Sequence, residues 1–426
     1  MLLVGPGNAV KTDGDSRQFT TIPYVTSTSH NSTVINWYPQ TFIPDELFYA
    51  NESFYNKTGS YDHSVRANTT SLPHKISLTG LESGTRYHYA LQQNGTTVIN
   101  QSFMTFAEKG ACSFIVYGDT REQVPYFTQI ERHRIVADRI AGEPNISFVI
   151  NTGDLVSNPD DPEEWYRFFT AGKMLFATTT YADVRGNHDS NSSLSKDLFG
   201  TDGMYSFDCG DAHIAVLDST DYSGFSLDEQ VLWLVKDLAS TEKWKIVVLH
   251  HPLYTSEENH IGGFANLQKV YEPVFLSRNV SVVFNGHVHA YERIEKSGIT
   301  YITEGRGGAP AYPLNETKTA GSVKSRENTL GYSRVTIDPE TESLSIEVIQ
   351  IADVSSDLRN VTQISQRDTV VDSIILRKPD KKNNQYMHSS TPQLPLSGVF
   401  RCNNTINPIK HDISPAHIPS CIVSGF

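Results

Sequence analysis

Five short polar clusters, each closing an apolar run, constrain this chain more than any other feature. They are Gly118-Asp119, Gly153-Asp154, Gly186-Asn187-His188-Asp189, His250-His251 and Gly286-His287-Val288-His289. The runs before them are Phe114 to Tyr117, Phe148 to Ile150, Tyr181 to Val184, Ile246 to Leu249 and Val280 to Phe284. Short apolar runs of this kind fit strands buried on both faces, in a sheet covered by helices. Ligands of such sheets bind in the crevice beyond the carboxyl ends of the strands. Carboxylates, a carboxamide and imidazoles are therefore expected to converge on the rim of a single sheet. One Asp or His at a strand end is commonly a turn or cap residue. Five successive clusters, all of metal-ligand type, point to a metal site.

With 426 residues, the chain exceeds one ordinary core and two domains are expected. Its formal net charge of −13 argues against a nucleic-acid-binding surface, and no basic stripe opposes that reading. An anionic substrate must then be drawn by a local positive centre, which bound metal ions would supply. Asn-x-Ser/Thr sequons begin at Asn31, Asn51, Asn56, Asn68, Asn94, Asn100, Asn145, Asn191, Asn279, Asn315, Asn360 and Asn403. Chance in a chain this rich in Ser and Thr would give about five. The excess predicts N-linked glycans and an exported protein, secreted or held at the cell surface. The four cysteines fit that compartment, with Cys112–Cys209 and Cys402–Cys421 as the expected bridges among three pairings. Met1 to Val10 is too short for a complete signal peptide, so the export signal is expected to be trimmed or lost. No run approaches transmembrane length.

Residues 1–17 read as a loose segment. From Phe19 to Phe106 the pattern is strand and turn only. Ser32 to Trp37 alternates; Lys75 to Leu81 and Arg86 to Leu91 flank the turn Glu82-Ser-Gly-Thr85. This spacing predicts a β-sandwich over 18–108. From Ala111 strands alternate with helices, expected at Tyr126 to Gly142, Ser226 to Leu238 and Phe264 to Leu276. The second opens on a capping box, Ser226 with Glu229. Strands return at Ile299 to Thr303, Ser333 to Ile337, Ser343 to Ile351 and Val370 to Leu376. The whole predicts a mixed αβ layered domain over 109–379 and a disulfide-pinned tail over 380–426.

Hydrolysis of a phosphate ester requires neutralised phosphoryl oxygens, a nucleophilic water and a stabilised leaving alkoxide. Two cations about 3.5–4 Å apart with a bridging hydroxide supply the first two. Such a pair needs a bridging carboxylate, and Asp154 stands in the middle of the series. Asp119 would hold one metal, and Asn187 with His250 the other. His287 and His289, two apart on an extended segment, can address different metals. Asp189 beside His188 can orient the imidazole and raise its pKa for general-acid work. His251 reads as a supporting residue, and His260 lies on a loop within reach of substrate. Arg121 and Arg306 are each either a phosphate clamp or a salt-bridge partner.

The order and spacing of Asp119, Gly153-Asp154, Gly186-Asn-His-Asp189, Val247-x-x-His250 and Gly286-His-x-His289 resemble the calcineurin-like metallophosphoesterase superfamily. Gly286-His-Val-His-Ala-Tyr-Glu-Arg293 resembles its purple acid phosphatase branch. Leu78-x-x-Leu81, the following turn, Tyr87, Tyr89 and Trp37 resemble a fibronectin type III domain, which that branch carries ahead of its catalytic domain. The resemblance spans about residues 19 to 378 and implies an α/β/β/α four-layer sandwich after the β-sandwich. It implies metal one held by Asp119, Asp154 and His289, and metal two by Asp154, Asn187, His250 and His287. His188 and His260 would lie near the leaving group or phosphate. The purple enzymes place a tyrosine three residues after the bridging aspartate, where this chain has Ser157. Other members place a histidine two residues after the first aspartate, where it has Arg121. Metal one is then expected to be completed by water, Ser157 or a neighbouring side chain, or to bind weakly. A colourless enzyme with two divalent metals (iron, zinc or manganese) follows.

The expected function is an exported, metal-dependent phosphomonoesterase acting on a small phosphorylated substrate. A phosphodiesterase or nucleotidase on the same centre is the alternative within enzymes. A surface adhesion or matrix protein with a vestigial metal site is the alternative outside them. An oligomer is compatible with the sequence, which shows no interface.

Overall fold

A computed structural model of the chain describes residues 21–39, 45–67, 72–189, 192–355 and 360–378. These described residues make one compact unit. The tail 380–426, with Cys402 and Cys421, lies outside the described residues, as do Asn68, Asn191 and Asn403.

The N-terminal strands are β1 (Tyr24–Thr26), β2 (Ser32–Trp37), β3 (Asp45–Asn51), β4 (His63–Arg66), β5 (His74–Thr79), β6 (Arg86–Gln93) and β7 (Thr96–Met104). They form two antiparallel sheets, ordered β1-β2-β5 and β4-β3-β6-β7. Val25, Ile35, Trp37, Leu47, Ile76, Leu78, Tyr89 and Phe103 fill the space between. Alternation in β5, buried at every second residue, is what puts Ile76 and Leu78 inside. The Tyr87 hydroxyl accepts the Glu82 N–H at 2.9 Å and fixes the turn between β5 and β6. The strand-and-turn expectation is corrected by helix α1 (Glu52–Thr58), started by the Asn51 side chain on the Phe54 N–H and ended by Gly59 at φ 65°. It buries none of its residues, so it left no apolar stripe to read.

The remainder runs β8 (Cys112–Tyr117), α2 (His133–Ala141), β9 (Phe148–Asn151), α3 (Pro162–Ala171), α4 (Lys173–Thr178), β10 (Thr180–Asp183), α5 (Ser193–Phe199), β11 (Tyr205–Cys209), β12 (Ala212–Val216), α6 (Leu227–Ala239), β13 (Trp244–Val248), α7 (Ala265–Ser277), β14 (Val282–Asn285), β15 (Tyr291–Lys296), β16 (Ile299–Glu304), β17 (Ser322–Arg326), β18 (Thr329–Asp338), β19 (Ser343–Val354) and β20 (Val361–Arg377). They build two sheets, ordered β10-β9-β8-β18-β19-β20 and β11-β12-β13-β14-β16-β15-β17.

The two sheets stack face to face. Phe114, Val116, Phe148 and Ile150 of the first pack against Ile214, Val216, Ile246, Val248, Val282 and Phe284 of the second. The alternate residues Ile115, Tyr117 and Val149 face the layer of α2 to α5. Ala215, Val247 and Val283 face α6 and α7. The result is the expected α/β/β/α arrangement. It corrects the single-sheet expectation, because Asp119, Asp154 and Asn187 follow strands of one sheet while His250 and His287 follow strands of the other. Apolar runs buried on both faces look alike in either sheet, so periodicity could not divide them.

The Cys112–Cys209 disulfide joins the start of β8 to the end of β11, one strand from each sheet. The capping box of α6 is present. The helix expected from Tyr126 is shorter, and α2 begins only at His133. Ahead of it, Glu131 accepts the Thr128 N–H at 2.6 Å and Gln129 donates to the Leu155 carbonyl at 2.5 Å. These side chains stabilise turns in place of a helical turn. The N-terminal sandwich covers the exposed edge of the first sheet through Thr28 with Thr180 at 2.6 Å, and Tyr24 donates to Leu198 O at 2.8 Å.

Candidate metal centre

Three of the proposed ligands sit in strained backbone. Asp119, Asp154 and His287 have φ of 56°, 55° and 68°, in the left-handed region that non-glycine residues avoid. Each such residue costs of order 1–3 kcal/mol and persists only where its surroundings over-determine it. Here they do. The Asp119 N–H donates to Gly153 O at 2.9 Å, and the His287 N–H donates to the Asp119 carboxylate at 3.0 Å. The glycine ahead of Asn187 has a steric cause: a Cβ on Gly186 would lie 2.2 Å from Asp154 Oδ1.

The side chains converge in two groups. Asn187 Oδ1 lies 3.0 Å from His250 Nε2 and 2.8 Å from His287 Nδ1. Ligand atoms of His250, His251 and His287 lie within 4.8 Å of one another, and those of Asp119, Asp154 and His289 do the same. Asp154 Oδ1 is 3.4 Å from His250 Nε2, so its carboxylate adjoins both groups. The Nδ1 atoms of His250 and His289 lie against the carbonyls of Thr152 and Pro310, which directs both Nε2 atoms inward.

The electrostatics suit a cation. Burial, and then the neighbouring His251, depress the His250 pKa strongly. Burial, and then Arg121, push His289 down to about 3. Both imidazoles are therefore neutral and keep a free lone pair. Asp119 is raised well above the usual carboxylate range by burial and by Asp154 beside it. A bound cation would relieve that crowding of carboxylates. Donor set and protonation both fit two metal ions.

Asp189 and His251 differ from expectation, while Ser157 and Arg306 settle alternatives that the sequence left open. Asp189 does not orient His188: its buried carboxylate accepts the backbone N–H groups of Asp154, Leu155 and Gly186 at 2.8, 2.9 and 2.8 Å. The His188 Nδ1 instead faces Ser157 O at 3.3 Å. Ser157 donates its hydroxyl to Glu122 O at 2.6 Å, which argues against it as a metal-one ligand. Arg306 is a salt-bridge residue, fully buried on Glu304 at 2.7 and 2.8 Å. His251 joins the ligand group of His250 and His287, with Nδ1 3.0 Å from Ser219 Oγ.

His260 reaches the site, its ring 5.3 Å from that of His287, with Nδ1 held by buried Glu257 at 2.7 Å. Arg121 lies 3.7 Å from Asp154 Oδ2 and donates to the Tyr312 hydroxyl at 3.2 Å. Tyr312 stacks on His289 at 3.9 Å between ring centres. Neither Glu257 nor Tyr312 had a readable signal in the sequence. Tyr312 lies in an irregular Pro310-Ala-Tyr-Pro313 segment without periodicity.

The calcineurin-like phosphoesterase family model matches residues 112–291. Purple acid phosphatase 22 of Arabidopsis thaliana is 26% identical over 348 residues, covering 70% of this chain and 75% of that protein. The purple acid phosphatase of Glycine max is 38% identical over 128 residues, covering 24% of this chain and 27% of its own. The structure of purple acid phosphatase PPD1 from yellow lupin (Lupinus luteus) seeds superposes with a TM-score of 0.66 at 16% identity, over 83% of this chain and 73% of that one. At that identity the likeness speaks to the fold.

Proposed function

We propose that this chain, which carries a calcineurin-like metallophosphoesterase domain and has purple acid phosphatase homologues, hydrolyses phosphate monoesters at a two-metal centre outside the cell. The family and homologues indicate a phosphoric ester hydrolase. The observation that carries the finer reading is the convergence of Asn187, His250 and His287 on one point, beside the Asp119, Asp154 and His289 group.

In this reading Asp119, Asp154 and His289 hold metal one, and Asp154, Asn187, His250 and His287 hold metal two. Bound metals would supply positive charge for the phosphoryl oxygens and activate a water. The Arg121 guanidinium adds a fixed positive charge beside Asp154 and takes a phosphate oxygen. The His188 Nδ1–H faces the Ser157 carbonyl, and in the doubly protonated imidazolium form Nε2 would carry the proton given to the leaving alkoxide. His260, turned by Glu257, has its Nε2 free for the phosphate or leaving group. Divalent ions (iron, zinc or manganese) suit a site without a tyrosine after Asp154, and the holo-protein is expected to be colourless.

Export is supported by the Cys112–Cys209 bridge and by the sequons. Asn31, Asn56, Asn94, Asn100, Asn145, Asn279 and Asn360 are all exposed. The domain division follows the sequence reading, with a fibronectin type III-like sandwich over 18–108 and the catalytic domain over 109–379. Among the described residues no helix is long and apolar enough to cross a membrane.

Turnover of an aryl phosphate compared with its bis-ester, by metal-loaded protein, tests the proposal. Preference for the monoester is expected. Preference for the bis-ester would replace it with a phosphodiesterase, and inactivity of fully loaded protein with a vestigial site.

A further inference from the structure

The two halves of the centre are not alike in charge. On the His250 side, the Asp154 Oδ1 atom faces His250 Nε2 at 3.4 Å, and the remaining donors are a carboxamide and imidazoles. The Asp119 side carries a second carboxylate, Asp119 itself, but there the other oxygen of Asp154 already has a cation that offsets it. Arg121 Nε lies 3.7 Å from Asp154 Oδ2, with the arginine side chain 11% exposed and the aspartate 2%. Water scarcely screens a charge placed there, so its repulsion of an incoming ion is much stronger than at a surface.

Arg121 is also held in place. Its backbone N–H donates to Asp154 O at 3.1 Å, and its guanidinium donates to the Tyr312 hydroxyl at 3.2 Å. Tyr312 is fixed in turn to the ligand itself. Its ring stacks on His289 at 3.9 Å and 22°, and its N–H donates to His289 O at 3.3 Å. Swinging the guanidinium away therefore breaks its contacts with Asp154 and Tyr312.

We infer that Arg121, clamped by Tyr312, is a built-in cation that offsets the extra carboxylate of the metal-one side, which leaves metal one, with three protein donors against four, the weaker position and metal two the tighter. This rests on the two-metal reading of the six ligands, but not on the identity of the ester hydrolysed. Tyr312 is a positioning residue in this arrangement: it acts on the metal through Arg121 and His289. The order of loading follows, with the His250 position filling first and the Asp119 position filling at higher metal concentration.

The test is calorimetric titration of the chelator-stripped full chain with Zn²⁺ alone. Two classes of site are expected, separated by roughly tenfold or more in affinity. Asp119→Asn should abolish the weaker class, and His287→Gln the tighter one. Arg121→Gln should tighten the weaker class by about tenfold, and Tyr312→Phe, which keeps the ring and loses the hydroxyl contact, by a smaller factor in the same direction. Equal affinities in the wild type would overturn the inference. So would a weaker class that maps to His287, or one that neither the Arg121 nor the Tyr312 variant moves. The wild-type protein and the two ligand variants decide the order of affinities even if the Arg121 variant fails to fold. Absence of phosphate-ester turnover in protein with both classes filled would instead sink the phosphatase reading and leave the metal asymmetry standing.

Discussion

At the scale of single residues, Asp189 shows how a correct suspicion can carry the wrong role. Its place beside His188 suggested an acid that tunes an imidazole, yet its carboxylate gathers three backbone N–H groups around Asp154. Asp189→Ala would leave those buried donors without their acceptor, at about 1–3 kcal/mol for each group left unsatisfied. The variant is expected to lower the thermal unfolding midpoint and to lose bound metal, as calorimetry and metal analysis would read. A variant as stable and as metal-loaded as the wild type would return Asp189 to a purely catalytic role. The six proposed ligands were legible because each follows an apolar run and is of ligand type. Tyr312 and Glu257 were not, since they reach the site from irregular segments and their relevance exists only through partners distant in sequence, Arg121 and His289 for one and a loop histidine for the other.

At the scale of elements, α6 was readable at its start. Ser226 and Glu229 exchange hydrogen bonds in the capping box expected from the sequence. Ser226→Ala should cost about 0.5–2 kcal/mol in equilibrium unfolding, with activity retained. The same helix is tied to β12 by a less visible device. His213 lies between Asp208 at 2.7 Å and Asp237 at 2.8 Å. Burial alone would lower its pKa, but the two carboxylates outweigh burial and raise it to about 9. A raised folded-state pKa stabilises fully below the unfolded value near 6.5, and that contribution disappears as pH rises through about 9. Unfolding midpoints should therefore fall between about pH 6.5 and pH 9 in the wild type and change less in His213→Gln. Equal pH profiles for the two proteins would contradict this. Helices α1 and α3 to α5 escaped the sequence reading. The first shows no apolar stripe, and the others are short pieces whose aromatic faces, such as Trp165, Phe168 and Phe176, look no different from buried strand runs.

At the scale of the whole molecule, the layered class was legible from alternating strands and helices followed by a strand-rich end. The partition of the strands between two stacked sheets, six in one and seven in the other, was not. The proposed function depends on that partition, because one sheet brings Asp119, Asp154 and Asn187 and the other brings His250, His287 and His289. The Cys112–Cys209 bridge crosses the same divide, with its ends 97 positions apart in sequence. Its reduction should lower stability by about 2–5 kcal/mol in denaturant titrations, and an unchanged midpoint would show that the sheets hold together without it.

The most direct measurement of the central claim is aryl phosphate turnover by chelator-stripped protein as metal is added back, read against the metal bound per chain. Turnover is expected to be absent in the stripped protein and to reach its plateau only as the second ion binds. Full turnover without metal, or none with both positions filled, would contradict a phosphoesterase centre assembled from the two sheets.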